Sequence, residues 1–249
     1  MNSGTLYLVA TPIGNLEDIS IRAMKILSSV NGIACEDTRK TSQLIGLLKQ
    51  RYPEFYVQTP EQKENQRYIR YYEQVEDRKI PEIITALKND LNIALVSDAG
   101  TPAISDPGFR LVRECVKEGI KVQSIPGPSS VILALTLSGL PTDKFLFLGY
   151  PPHKGGKRMQ LYKSVQKSQE HVHSTVILFE APHKMLRTLD ELKEVFGDIE
   201  VVLTREMTKI HEEILRGTIS ELLTSFTKRP PKGEFVLLFN LDNQAVDNE

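Results

Sequence analysis

The chain has 249 residues, 40% of them hydrophobic, with 31 basic against 32 acidic side chains and a net charge of −1. That length allows two modest domains or one large one. The balanced charge excludes a polycation, so any nucleic-acid contact has to come from a local patch.

Residues 5–10 read as a buried first strand, followed by a loop at 11–15. Ser20 is placed to cap a helix that carries Ala23, Met24, Leu27 and Val30 on one face and stops near Gly32. Residues 32–35 form a short second strand ending in the cluster Glu36-Asp37-Thr38-Arg39, and a helix through Leu44, Leu47 and Leu48 follows. Residues 50–78 are aromatic and charged without a clean period; one strand and an exposed loop or short helix are expected there. Pro81 is expected to open a helix bearing Ile83, Ile84 and Leu87, ahead of a strand at 93–96. After the loop 97–106, Asp106 is expected to cap a helix, with Pro107 in its first turn and Gly119 at its end. A strand at 120–125 runs into Pro126-Gly127-Pro128-Ser129-Ser130, which starts a helix over 131–137 ended by Gly139. Beyond it come a strand at 144–149, a basic stretch whose Gly155-Gly156 pair predicts a mobile loop before the helix, and a strand at 175–179 ending in Glu180. The remainder reads as a helix from Pro182 to a stop at Gly197, strands at 200–203, 213–215 and 235–241, a helix at 219–226 and a polar tail over 242–249. Alternating strands and helices argue an α/β fold. The Pro/Gly-rich turn suggests two domains, 1–124 and 125–249.

Cys35 and Cys115 sit in apolar contexts, without zinc spacing or a disulfide framework, and are expected in the core. Residues 1–5 lack the positive region of a signal peptide, and no apolar run approaches the roughly 18 residues of a membrane span. A reducing cytoplasm and no membrane partner are the expectation.

The stretch from Ser97 to Gly108 organises the chain: a strand end, a polar loop rich in Asp, Gly and Pro, and a helix start. In open α/β sheets ligands bind beyond the carboxyl ends of strands. There is no GxGxxG or GxxxxGK[ST]; Gly14 stands alone in the first loop, and one glycine cannot provide the close pyrophosphate approach, although Glu36 lies about where a Rossmann acid would. Polar loops at 11–15, 36–39, 97–106, 126–130, 180–184 and 204–209 supply backbone donors, Asp98, Ser129 and Ser130, but no metal cluster. That set suits a neutral, adenosine-like ligand carrying its own reactive group.

Residues 8–16 (LVATPIGNL), 34–39 (ACEDTR), 97–108 (SDAGTPAISDPG), 125–129 (IPGPS), 138–143 (SGLPTD), 180–183 (EAPH) and 204–209 (TREMTK) together resemble the small-subunit ribosomal RNA methyltransferase I family of the tetrapyrrole methylase superfamily, over residues 4–240. The resemblance implies two α/β domains with S-adenosylmethionine in the cleft between them, a homodimer, and 2′-O-methylation of a cytidine in the decoding centre of 16S rRNA, possible within the small ribosomal subunit or on free RNA. Carried over position by position, it puts cofactor contacts at Pro12, Ser97, Asp98, Thr101, Ser129, Ser130, Phe179, Glu180 and Met207. The chain departs from the family after Tyr71, reading Tyr72-Glu73-Gln74-Val75-Glu76 where the family often has histidines and an asparagine.

The chemistry so implied is an in-line displacement in which the ribose hydroxyl loses its proton. No motif names the base; Glu36, Asp37, Glu180, His183 and Glu206 are the candidates, with a structural role also open to His183. Arg39 either pairs within its own cluster or meets an RNA phosphate. Lys154, Lys157 and Arg158 form a basic stretch expected to contact rRNA phosphates, the alternative being a solvated helix face. Two other functions compete: a tetrapyrrole C-methyltransferase on the same fold, and a ribosome-associated binder without catalysis.

Overall fold

The computed structural model describes residues 3–60 and 66–242. The chain divides into two compact units, Met1–Ser129 and Ser130–Glu249.

The first unit is built on strands β1 (Leu6–Val9), β2 (Gly32–Cys35), β3 (Arg67–Arg70), β4 (Ile93–Leu95) and β5 (Val122–Ile125). They form one parallel sheet in the order β3-β2-β4-β1-β5. Its helices are α1 (Ile21–Ser29), α2 (Thr38–Arg51), α3 (Glu76–Lys88) and α4 (Phe109–Lys117). A parallel sheet is buried on both faces, so its strands read as continuous apolar runs whose alternate residues enter different cores. Ile33, Cys35, Ala94 and Val96 join Met24 and Leu27 of α1 and Leu48 of α2 on one side. Ala34, Ile93 and Leu95 join Ile83 and Leu87 of α3 and Leu111 and Cys115 of α4 on the other. Both cysteines are buried and free.

Local signals place most helix ends. Ser20 caps α1, its Oγ accepting from the Ala23 N–H at 3.1 Å. Asp37 caps α2 through the Arg39 N–H. Two expectations fail. Pro81 does not open α3 but lies inside it, because the helix begins at Glu76; past the first turn, it leaves the Asp77 carbonyl without its i→i+4 donor. Asp106 does not cap α4. That helix starts at Phe109 behind Gly108, whose φ of +137° no side-chain-bearing residue adopts easily and whose N–H donates to Glu76 Oε1 at 3.0 Å. In the segment 50–78, β3 supplies the expected strand, while residues 61–65 lie outside the described part, as does 243–249 of the expected polar tail.

The division between the compact units follows Ser129. Pro128 is held by the first unit, its carbonyl accepting from Thr101 Oγ1 at 2.9 Å. Gly127 lies so close to Ala10 that an added Cβ would stand 2.8 Å from the Ala10 Cβ.

The second unit has α5 (Ser130–Ser138), β6 (Phe145–Phe147), α6 (Gly155–Gln169), β7 (Thr175–Glu180), α7 (Met185–Phe196), β8 (Glu200–Arg205), β9 (Glu213–Thr218), α8 (Ile219–Lys228) and β10 (Phe235–Phe239). Its mixed sheet runs β6-β7-β10-β8-β9, with only β6 and β7 parallel. Val176, Leu178, Leu203, Leu237 and Phe239 meet Tyr162 of α6, Leu189 and Leu192 of α7 and Phe226 of α8 in one core. Gly155 and Gly156 are not a mobile loop: they form the first turn of α6, with Lys154 at its N-cap.

Candidate functional site

Because β1, β2, β4 and β5 are parallel, the loops after them leave the same edge of the first unit's sheet. Two of these loops are stitched together. Thr11 and Gly100 exchange backbone hydrogen bonds of 2.9 and 3.0 Å. Thr11 Oγ1 donates to the Ser97 carbonyl at 3.2 Å, and the buried Ser97 Oγ donates to the Gly100 carbonyl at 3.1 Å. Ala103 and Ser105 hold left-handed φ values of +67° and +58°, a strain that persists only where the surroundings impose it. The wall presented at this edge, with Pro12 and Ser129 beside it, is therefore rigid.

Its charge is mostly negative. Lys40 Nζ donates to Asp98 Oδ2 at 2.7 Å. Burial, and then the Asp98 charge, raises the Glu36 carboxyl. Asp106 is pushed up to about 7 by burial and then by the charges of Glu36 and Asp98, against the pull of the Ser97 hydroxyl. Asp37 behaves oppositely: its hydrogen bonds with Arg39 hold its carboxyl well below the usual range. An ionised, capping carboxylate is a weak proton acceptor. Arg39 spends two nitrogens on Asp37, yet its side chain is 90% exposed.

In the second unit, β7 and β8 each run antiparallel to β10, so the loops at 180–184 and 204–209 leave one edge. Glu180 is buried, with Oε2 accepting from Thr188 Oγ1 and Oε1 from the Ala181 N–H. Each oxygen thus already accepts one hydrogen bond within the fold. Glu206 accepts from the Glu234 N–H at 2.9 Å and from Lys209 Nζ at 3.1 Å. Burial works to raise it, but those donors outweigh burial and lower its pKa, so it too is a structural anchor. His183 stands exposed in a short 3-10 turn ahead of α7. Phe179 packs on Phe147 and Tyr150 with ring centroids 4.9 and 5.4 Å away, and Met207 is buried. Ser130 begins α5.

Lys154 and Lys157 are exposed on the first turn of α6. Arg158 is not exposed with them. It is 3% exposed, forms a two-pronged ion pair with Glu191 of α7, and donates from Nη1 to the carbonyls of Pro152 and His153. Arg158 ties α6 to α7, and its burial keeps the guanidinium from the surface.

Among the described residues no group of His, Cys, Asp and Glu is arranged to hold a metal ion, and no helix is long and apolar enough to cross a membrane.

The Tetrapyrrole (Corrin/Porphyrin) Methylases family model matches residues 5–223. Proteins named ribosomal RNA small subunit methyltransferase I are similar over almost the whole chain. That of Thermotoga maritima is 41% identical over 95% of this chain and 98% of its own length; that of a Hydrogenobaculum species is 44% identical over 96% of each. The chain belongs to the ribosomal RNA small subunit methyltransferase I family. The wider methylase fold of that family is visible in solved structures: a cobalt precorrin-4 methyltransferase matches at TM-score 0.63 and 16% identity over 94% of each chain. A Thermus thermophilus uroporphyrin-III C-methyltransferase, complexed with S-adenosyl homocysteine, matches at TM-score 0.62 and 15% identity, covering 96% of this chain and 99% of its own. At these identities the likeness is one of fold.

Reading the sequence missed Asp106 as a chemical group. A signal was present: a second aspartate in the same loop as Asp98. Asp-Pro before an apolar period reads as a helix start, which masks it.

Proposed function

We propose that this chain transfers a methyl group from S-adenosylmethionine to the 2′-hydroxyl of a cytidine in the decoding centre of 16S rRNA. The observation that carries the reading is the 41–44% identity, over 95–96% of the chain, to proteins named for methylating small-subunit ribosomal RNA. S-adenosylmethionine, when bound, supplies a methyl carbon on a positive sulfonium whose departure leaves a neutral thioether.

The donor set at the first unit's edge fits such a group. Glu36 and Asp98 stand there beside the ammonium of Lys40, and carboxylates favour a cationic ligand. The Thr11–Gly100 stitch gives a preformed wall, and Gly100, at φ +85°, leaves no room to spare: its Cβ would lie 3.3 Å from Ile13 Cγ2. Pro12, Ser97, Asp98, Thr101 and Ser129 are the first unit's cofactor residues in this reading, with Thr101 acting through its lone pairs because its hydroxyl hydrogen is given to Pro128. Ser130, Phe179 and Met207 are the candidates on the second unit.

A neutral leaving group needs no general acid. What the protein has to provide is alignment, worth on the order of 7–11 kcal/mol when complete, and a proton acceptor. Lys154, Lys157 and Arg39 are the exposed cations offered to rRNA phosphates. A cytoplasmic homodimer acting on the small ribosomal subunit completes the proposal. Mass spectrometry of digested 16S rRNA tests it: cells lacking the gene should lose one 2′-O-methylcytidine, and the purified protein should restore it. Unchanged modification would refute it.

A further inference from the structure

The loop after β4 also borders a cavity of about 450 Å³ in the first unit, whose lining includes Glu36, Tyr72, Glu76, Asp106, Phe109 and Arg110. Glu76 is a strut within it: buried, it accepts from Tyr71 Oη at 2.7 Å and from the Gly108 N–H at 3.0 Å. Phe109 is different. It is 64% exposed at the first residue of α4, with the Arg113 guanidinium 5.6 Å from the ring centroid. Arg110 is half-exposed, bonded to the exposed Asp77 at 2.9 Å, an exposed pair that holds it weakly, and stands 3.7 Å from the buried Glu76. Asp106 is in the lining with them, on a loop whose Ala103 and Ser105 are held in left-handed conformations.

We propose that this cavity receives the acceptor ribonucleotide, with Asp106 accepting the 2′-hydroxyl proton, Phe109 stacking on the base and Arg110 meeting a flanking phosphate. The proposal rests on the methyl-transfer reading above and names the residues of its acceptor side. In the step, the 2′-oxygen forms the O–CH₃ bond, the C–S bond breaks with its electron pair going to sulfur, and the O–H proton passes to an Asp106 carboxylate oxygen and then to water. The placement suits the task because Asp106 shares its loop with Asp98, so acceptor and methyl donor would be neighbours. The groups around Asp106 explain its basicity. Glu36 faces it from the turn after β2, and Asp98, already paired with Lys40, from its own loop. Glu73 and Glu76 line the same cavity with Tyr72, and Arg110 is drawn toward Asp77 and Glu76. Burial, then the charges of Glu36 and Asp98, hold the carboxyl at about 7, and a base near the working pH is the efficient one.

The test uses full-length protein carrying Asp106→Asn, Asp106→Glu or Phe109→Ala. With small subunits from cells lacking the gene, D106N should lower kcat roughly 10²–10⁴-fold, with KM nearly unchanged and D106E partly restoring the rate. The wild-type kcat should rise with pH and level off above about 7, and that limb should vanish in D106N. S-adenosylmethionine affinity by calorimetry should stay within about twofold of wild type. Independently of turnover, and without cofactor, the wild type should bind a cytidine-containing oligoribonucleotide more tightly than its 2′-deoxycytidine counterpart. D106N should lose that preference, and F109A should weaken both about tenfold, a typical loss for a base–aromatic stack. A D106N enzyme with wild-type kcat, pH profile and ribose preference would overturn the proposal. If instead the wild type transfers nothing to rRNA, the methylation reading fails, and the binding comparison alone decides the cavity.

Discussion

Replacing Arg158 by alanine separates a structural arginine from a nucleic-acid contact. Its side chain is 4% exposed and its partner Glu191 17% exposed. The substitution leaves a carboxylate uncompensated in the α6–α7 interface and strips the donor from two carbonyls, those of Pro152 and His153. Removing one partner of a buried pair costs about 3–5 kcal/mol, and the orphaned carbonyls act in the same direction. For a unit of this size about 1 kcal/mol corresponds to roughly 4 °C in melting temperature, so R158A should melt roughly 12–20 °C lower. The double variant R158M/E191L, with an apolar pair of similar volume, should recover most of that loss, since the pair itself is worth little beyond its own desolvation. Scanning calorimetry reads both. A melting temperature within 2–3 °C of wild type (~0.5–0.7 kcal/mol), together with weakened rRNA binding, would refute the reasoning and return Arg158 to the surface patch.

Asp98→Ala should weaken S-adenosylmethionine binding about tenfold or more in calorimetric titration while barely changing stability, because its pair with Lys40 is largely exposed; unchanged affinity in the folded variant would remove Asp98 from the site. Lys154→Ala with Lys157→Ala should reduce rRNA affinity and lower the slope of log K against log salt by about 2, with cofactor affinity intact; a wild-type slope would make them a solvated helix face. Asp106 carries a pH signature in stability as well. Its folded value of about 7 lies above the unfolded ~3.9, so the folded state binds more protons between these limits, stability falls as pH rises across that window, and the penalty is complete above it. Asp106→Asn should therefore raise the melting temperature relative to wild type more at pH 8 than at pH 5, each about one unit outside or inside that window; equal differences at the two pH values would contradict the placement of Asp106.

What the sequence determined by itself is whatever depends on neighbours within a turn or two. The alternation of strands and helices, Ser20 as a cap, and the helix stops before Gly119, Gly139 and Gly197 follow from local hydrogen bonding and from φ values that glycine tolerates. The polar loops after the strands were legible too, and a parallel sheet brings those of the first unit to one edge. Which charges in those loops are free was decided by distant partners. Arg158 lies in a run that reads as solvated, yet Glu191, 33 residues away, takes it into the interior. Glu180 follows a strand as a catalytic acid would, but Thr188 consumes one of its oxygens. Asp106 looks like a cap, but the helix starts at Phe109 behind Gly108, and burial with the charges of Glu36 and Asp98 raises its carboxyl instead. Burial and pairing are sums over residues far apart in the chain, and those sums exist only once the chain has folded.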